Sequence, residues 1–197
     1  MLDLIAPLLL FVLAMSITPG PNVLMVAASA ANFGVRPTVP HMLGVTIGFP
    51  AMVFAVGAGL SGVFHAYPQI HVALKYVGAA YLLFLAWKIA NAGRAQAGGA
   101  KASPISLIQA ALFQWVNPKA WIAAVGAIAT YTTLGGNLLV ESTIIALLFA
   151  AVSLPCLFIW AAMGVGIGRF LESSRARLAF NLSMAALLVA SLVPVLW

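Results

Sequence analysis

Charge is what this chain has least of. Acidic side chains number three in 197 residues, and charged residues of both signs make up 6% of the chain, where a water-soluble domain carries roughly 25%. A globule of this size in water is therefore excluded, because too few charges exist to coat it. The single cysteine, Cys156, excludes an intrachain disulfide and any cysteine-based metal site. The clustered His, Asp or Glu near one interface that a membrane-embedded enzyme needs is also missing. The nine Lys and Arg do not form a nucleic-acid-binding face, since they fall in short segments between apolar runs.

What is abundant is hydrocarbon: 64% of residues are hydrophobic, and the mean hydropathy is +1.12. Lipid is the solvent such a surface needs. At about 20 residues per helical span, the apolar stretches account for nearly all of residues 1–197, so one all-α, polytopic membrane domain is expected. Six segments can be drawn by run length, at about 4–31, 39–64, 70–91, 105–133, 139–164 and 176–197. Between them lie NFGVRP, HAYPQIH, the long polar stretch NAGRAQAGGAKASP, LGGN and GRFLESSRAR. The N-terminal run reads as a retained first helix, with Asp3 where a signal peptide carries positive charge. Arg36, then Lys88, Arg94 and Lys101, then Arg169, Arg175 and Arg177 mark the first, third and fifth loops as cytoplasmic. Both termini are then external, with Asp3 and Glu141 on that side. Tyr131, Trp160 and Trp197 suit an aromatic belt at the interfaces.

Two segments are interrupted near their middles. The first carries Thr18-Pro19-Gly20-Pro21-Asn22, and the fourth carries Asn117-Pro118-Lys119. Each proline removes a backbone donor and clashes with the carbonyl four residues back. Backbone groups freed in hydrocarbon cost several kcal/mol each, by rough estimate, unless protein or water satisfies them. The breaks lie three segments apart, so the two segments that carry them cross in opposite senses. Two inverted three-helix halves with broken helices are the plan of many secondary transporters, whose substrates bind at the midplane. Packing kinks are the plainer reading of any single proline. Lys119 is the charged side chain that these segments place deepest, and no acidic residue lies at comparable depth. A substrate carboxylate supplies the missing anion; snorkelling to the headgroups is the alternative. Asn22 and Asn117 offer amide partners, Gln114 and Thr18 further hydrogen bonds, and the backbone opened at Pro19–Asn22 and Pro118 polar contacts.

TPGPN and NPKA, so spaced, resemble the two hallmark motifs of the lysine/homoserine-threonine exporter family of amino-acid efflux carriers. HMLGVTIGF, LKYVGAAYLLFLAWKIA and ISLIQAALFQWVNPKAW extend the likeness over essentially the whole chain. GAAYLLFLAWKIA and PISLIQAALFQWVN are most similar to the cysteine/O-acetylserine exporter branch. The chain departs from the family at Pro37, where a glycine commonly follows the basic residue of the first loop. The resemblance implies an inner-membrane carrier exporting amino acids or close derivatives, driven by the proton gradient.

Other signals point nowhere in particular. His65 and His71 flank a Tyr67-Pro68 turn at a spacing that suits no helical metal pair. His41 begins the second segment, and an imidazole there is a candidate for proton handling. Gly164-Val165-Gly166-Ile167-Gly168 follows a membrane helix rather than a strand, so it is no nucleotide loop. Gly44 and Gly48 suit close helix contact, and Cys156 a packing position beside Pro155. Nothing asks for a cofactor. For coupling, Lys119 could bind a carboxylate when charged and release it when neutral; uncoupled efflux competes with that scheme. The sequence leaves homo-oligomer formation open, as it does the choice among Cys, O-acetylserine, Thr, homoserine and Lys as substrate. A scaffold or assembly subunit is the rival reading, though it needs no polar midplane.

Overall fold

The structure is a computed structural model that describes residues 4–60, 66–97, 103–133, 135–171, 173–191 and 193. Every regular element among them is helical. Helix α1 covers Ile5–Ile17 and α2 covers Pro21–Phe33. Helix α3, Val35–Ala55, runs into a wider turn over Val56–Leu60. Helix α4 is Pro68–Ala97, α5 is Leu107–Phe113 with a tighter turn over Gln114–Val116, and α6 is Pro118–Tyr131. Helix α7 spans Leu138–Phe170, and α8 spans Ser174–Ala190. By length and apolarity, Val35–Gly59 and Leu138–Phe170 can each cross a membrane, and α1 with α2, bent by 48°, makes a third span if the pair counts as one.

Several boundaries move from where run length put them. The first polar loop shrinks to Gly34, whose φ of 85° lets α2 and α3 meet through one residue. Pro37, the departure from the family pattern, falls in the first turn of α3, where its missing N–H has no helical partner to lose. Helix α4 continues two turns into NAGRAQA, and residues 98–102 lie outside the described part. Helix α7 keeps its form through the glycines at 164, 166 and 168, because two of them are packing surfaces. A Cβ on Gly164 would run into the Ala27 carbonyl, and one on Gly168 would stand 2.7 Å from the Ala31 oxygen. Gly44 and Gly48 do the same for α3 on α5: a Cβ would strike the Leu107 carbonyl at Gly44 and come within 2.6 Å of the Ala111 Cα at Gly48. His65 and Trp197 are outside the described residues, as are Asp3, Lys101 and Glu172.

Helix α7 is the hub, packing against α1, α2 and α3, while α4 packs on α8 and α3 on α5. The buried apolar residues divide into two clusters. One holds Leu8, Val12, Phe49, Met52, Ala124, Ile145 and Phe149. The other holds Met25, Val26, Met42, Val45, Leu85, Phe113, Leu157 and Leu188. Along α3 the boundary falls between Val45 and Phe49, and along α7 between Phe149 and Leu157. Both helix breaks lie at that boundary. Large apolar side chains on the remaining faces, such as Leu10, Ile108, Ile122 and Leu147, are exposed, as lipid-facing residues are. At the end where the apolar cluster meets Thr133, Glu141 caps its own neighbourhood: its carboxylate accepts from the Thr133 N–H at 2.8 Å and from the Thr133 hydroxyl.

Candidate functional site

The two breaks are built the same way. Thr18 ends α1 in an extended conformation, Gly20 is extended, and Pro21 opens α2 as its first residue. Asn117 is extended, and Pro118 opens α6. Proline at a helix's first position has its φ already set and no N–H to strand. The second break is also capped, with the Asn117 Oδ1 accepting from the Lys119 N–H at 3.2 Å. Gly20 has no side chain to cap with, and its extended φ suits any residue; what a side chain there would displace is Lys119. A Cβ there would lie 2.7 Å from Lys119 Cδ.

The breaks are tied to each other crosswise. Lys119, the residue after Pro118, donates from Nζ to the Thr18 carbonyl at 2.7 Å, the Thr18 hydroxyl oxygen at 2.8 Å and the Pro19 carbonyl at 3.3 Å. Asn22, the residue after Pro21, donates to Gln114 Oε1 at 2.8 Å and accepts from Gln114 Nε2 at 3.1 Å. The residue following each proline thus reaches the chain preceding the other. Gln114, fully buried, also donates to the Ala110 carbonyl at 2.8 Å. Among the described residues Lys119 has no carboxylate neighbour, yet it is not without acceptors: three oxygens of the first break match the three hydrogens of an ammonium. The Thr18 hydroxyl proton is committed to the Ala14 carbonyl, 2.7 Å away, so its oxygen is free to accept.

Trp160, expected near a span end, is followed by ten more residues of α7, which runs on to Phe170. Its indole N–H donates to the Ile17 carbonyl at 3.0 Å, which satisfies one more group freed by the first break. Trp121 closes the second break in the same manner on the Trp115 carbonyl, at 2.8 Å. Tyr131 keeps to its helix end, with its hydroxyl 3.4 Å from the Pro7 carbonyl.

Between the apolar clusters these groups border a small cavity, with about 60 Å³ of room for the centres of water-sized molecules. Thr18, Gly20, Pro21, Asn22, Gln114, Asn117 and Lys119 line it. Of the nine residues the sequence nominated, Pro19 and Pro118 do not: Pro19 borders a separate apolar groove beside Trp160, though its carbonyl still accepts from Lys119. Phe49 and Phe149 form an apolar wall, their rings edge to face at 4.8 Å. Sequence reasoning missed Ser153. It lines the cavity from α7, four residues from Phe149 and from Leu157, and its buried hydroxyl has no hydrogen-bond partner among the described residues. The available signal was a serine two residues before Pro155 in an otherwise apolar run. His41 is fully buried in α3, one turn from Val45 of the cavity wall, and neither ring nitrogen has a partner among the described residues. Helix ends of both signs meet at the cavity: α1 presents the carbonyl end of a helix, and α2 and α6 present amide ends.

Comparison with known proteins supplies relatives and a family. Cysteine/O-acetylserine efflux proteins of Escherichia coli (strain HS), Shigella flexneri and Shigella sonnei are each 33% identical over 122 residues. The aligned stretch spans 61% of this chain and 62% of each relative's length. No solved structure matches. The sequence model of the LysE type translocators covers residues 13–193, a span that takes in both proline breaks and every residue lining the cavity between them; the chain is a member of the LysE type translocator family.

Proposed function

We propose that this protein exports small neutral amino acids or close derivatives, of the cysteine/O-acetylserine kind, across the inner membrane from the cytoplasm. The observation that carries the reading is the three-oxygen grip of the first break on Lys119 Nζ. That contact pairs a cation with the carbonyl end of α1, and a zwitterion can insert between the two. Its carboxylate takes Lys119 and the free amides that open α2, while its ammonium takes the Thr18 and Pro19 carbonyls that Lys119 releases. Asn22, Gln114 and Asn117 hold the surrounding amides in place, and the Ser153 hydroxyl offers a hydrogen bond to the solute. Because the exchange trades one set of charge-assisted bonds for another of similar strength, binding is weak enough to reverse, as a carrier needs.

The remaining features follow from the same plan. Six spans in two inverted halves of three place each break in one half, both termini outside, and the basic loops inside. Rocking of one half against the other lengthens the crossed contacts and opens the cavity to one face at a time. Protons are the coupling ion in this reading. The identity of the solute is tested by overexpressing the chain and scoring which amino acids the cells come to tolerate. Raised tolerance to cysteine or O-acetylserine is the expected result; unchanged tolerance to every amino acid, with the protein present in the membrane, overturns it.

A further inference from the structure

A second cavity, with about 80 Å³ of room for the centres of water-sized molecules, lies toward the end that carries Arg36 and Lys88. Met25, Ser29 and Asn32 of α2, Leu85, Lys88 and Ile89 of α4, and the chain at Ser103–Ile105 line it. Asn22 of the midplane cavity, Met25, Ser29 and Asn32 follow one another at helical spacing, so the two cavities share one face of α2. Seven residues from Asn22 to Ser29 put the second about 10 Å along that helix from the first. Met25, fully buried in the apolar cluster, stands between them.

Lys88 is unlike an anchoring lysine at a lipid interface. It shares its side of α4 with Leu85, 2% exposed, and Ile89, while the lipid-facing side carries the exposed Leu83, Phe84 and Trp87. Glu141 is the only acidic side chain among the described residues, and Thr133 occupies it. Ser29 supplies the opposite polarity. The Thr38 hydroxyl donates to the Gly34 carbonyl at 2.9 Å, so the 2.9 Å contact between the Ser29 and Thr38 hydroxyls has Ser29 as donor. With its proton so committed, the Ser29 hydroxyl on the cavity wall keeps lone pairs with which to accept. An ammonium donor and a hydroxyl acceptor across one small cavity fit the carboxylate and the ammonium of an α-amino acid.

We infer that this cavity is a cytoplasmic vestibule, where the exported amino acid is first held with its carboxylate on Lys88 and its ammonium on Ser29 before it passes Met25 to the midplane. The inference rests on the export reading above, and the test separates the two. Ser103→Cys, introduced with Cys156→Ala, places a thiol on the vestibule wall for a water-soluble maleimide applied to the face bearing the basic loops of inside-out vesicles. O-acetyl-L-serine, at ten times its half-protecting concentration, should slow that labelling roughly tenfold by simple occupancy. Its methyl ester, which has no carboxylate charge, should not protect. Lys88→Gln should abolish protection while the thiol still labels, and Lys88→Arg should restore it. Equal protection by acid and ester, protection that survives Lys88→Gln, or a thiol that fails to label at all overturns the vestibule. Efflux of O-acetyl-L-serine by the unmodified protein is measured in parallel. Its absence, together with unchanged tolerance to every amino acid, sinks the export reading, whereas efflux without protection of the introduced thiol removes the vestibule alone.

Discussion

At Lys119 two effects of similar size oppose each other. Replacing it by methionine removes a charge whose place in the membrane costs about 2–3 kcal/mol on insertion scales. The same change strands the Thr18 and Pro19 carbonyls, at about 1–3 kcal/mol for groups left unsatisfied. The balance leaves stability nearly unchanged, so Lys119→Met should unfold in detergent close to the original temperature and yet fail to export. Lys119→Arg keeps the charge, but a planar fork cannot gather three oxygens as an ammonium does. Its export should be slow, and the missing fit should show as weaker binding. The Asn22–Gln114 pair makes a different forecast. Asn22→Leu leaves the buried Gln114 amide, and Gln114→Leu the half-buried Asn22 amide, without its partner; each should cost about 1–3 kcal/mol, the second less than the first. The double change removes both ends of the bond and should cost less than the two singles summed, as a denaturant double-mutant cycle in micelles would show.

Elements were legible where the chain breaks its own pattern. Pro19-Gly20-Pro21 and Asn117-Pro118 announce interruptions in any apolar run, and the structure breaks at those residues. What the breaks do to each other was not legible, because nothing local in the chain says that residue 119 lies against residue 18. Ser153 and Trp160 escaped for the same reason: their roles depend on which face of α7 meets the breaks. Hydropathy also misplaced the end of that helix, since glycine reads as a terminator until a neighbour's backbone needs the space. Gly164 and Gly166 separate the two meanings. A Cβ at Gly166 meets nothing within 4 Å, whereas one at Gly164 meets the Ala27 backbone. Gly166→Ala should therefore stabilise by up to about 1 kcal/mol through helix propensity. Gly164→Ala should destabilise by about 1–3 kcal/mol through overpacking of α2 on α7. Thermal unfolding of the two variants side by side reads the sign.

For the whole molecule, the proposed even number of spans and the inverted halves stand or fall together. Reporter fusions after Ala97 should find the loop at residues 92–104 in the cytoplasm, and fusions after Trp197 should find the C-terminus outside. A cytoplasmic C-terminus would require an odd number of spans and undo the inverted halves. In the proposed plan few polar groups suffice for a transporter: each break supplies the partners the other lacks, and the remaining surface can be given over to lipid. Counterflow in proteoliposomes probes that arrangement most directly. Vesicles loaded with unlabelled O-acetyl-L-serine and diluted into a trace of the labelled compound should accumulate label transiently when they contain the original protein. Vesicles with an equal amount of Lys119→Met should show no such overshoot. Equal overshoot in the two would mean that the solute crosses without Lys119 and that the crossed breaks are only a structural clasp.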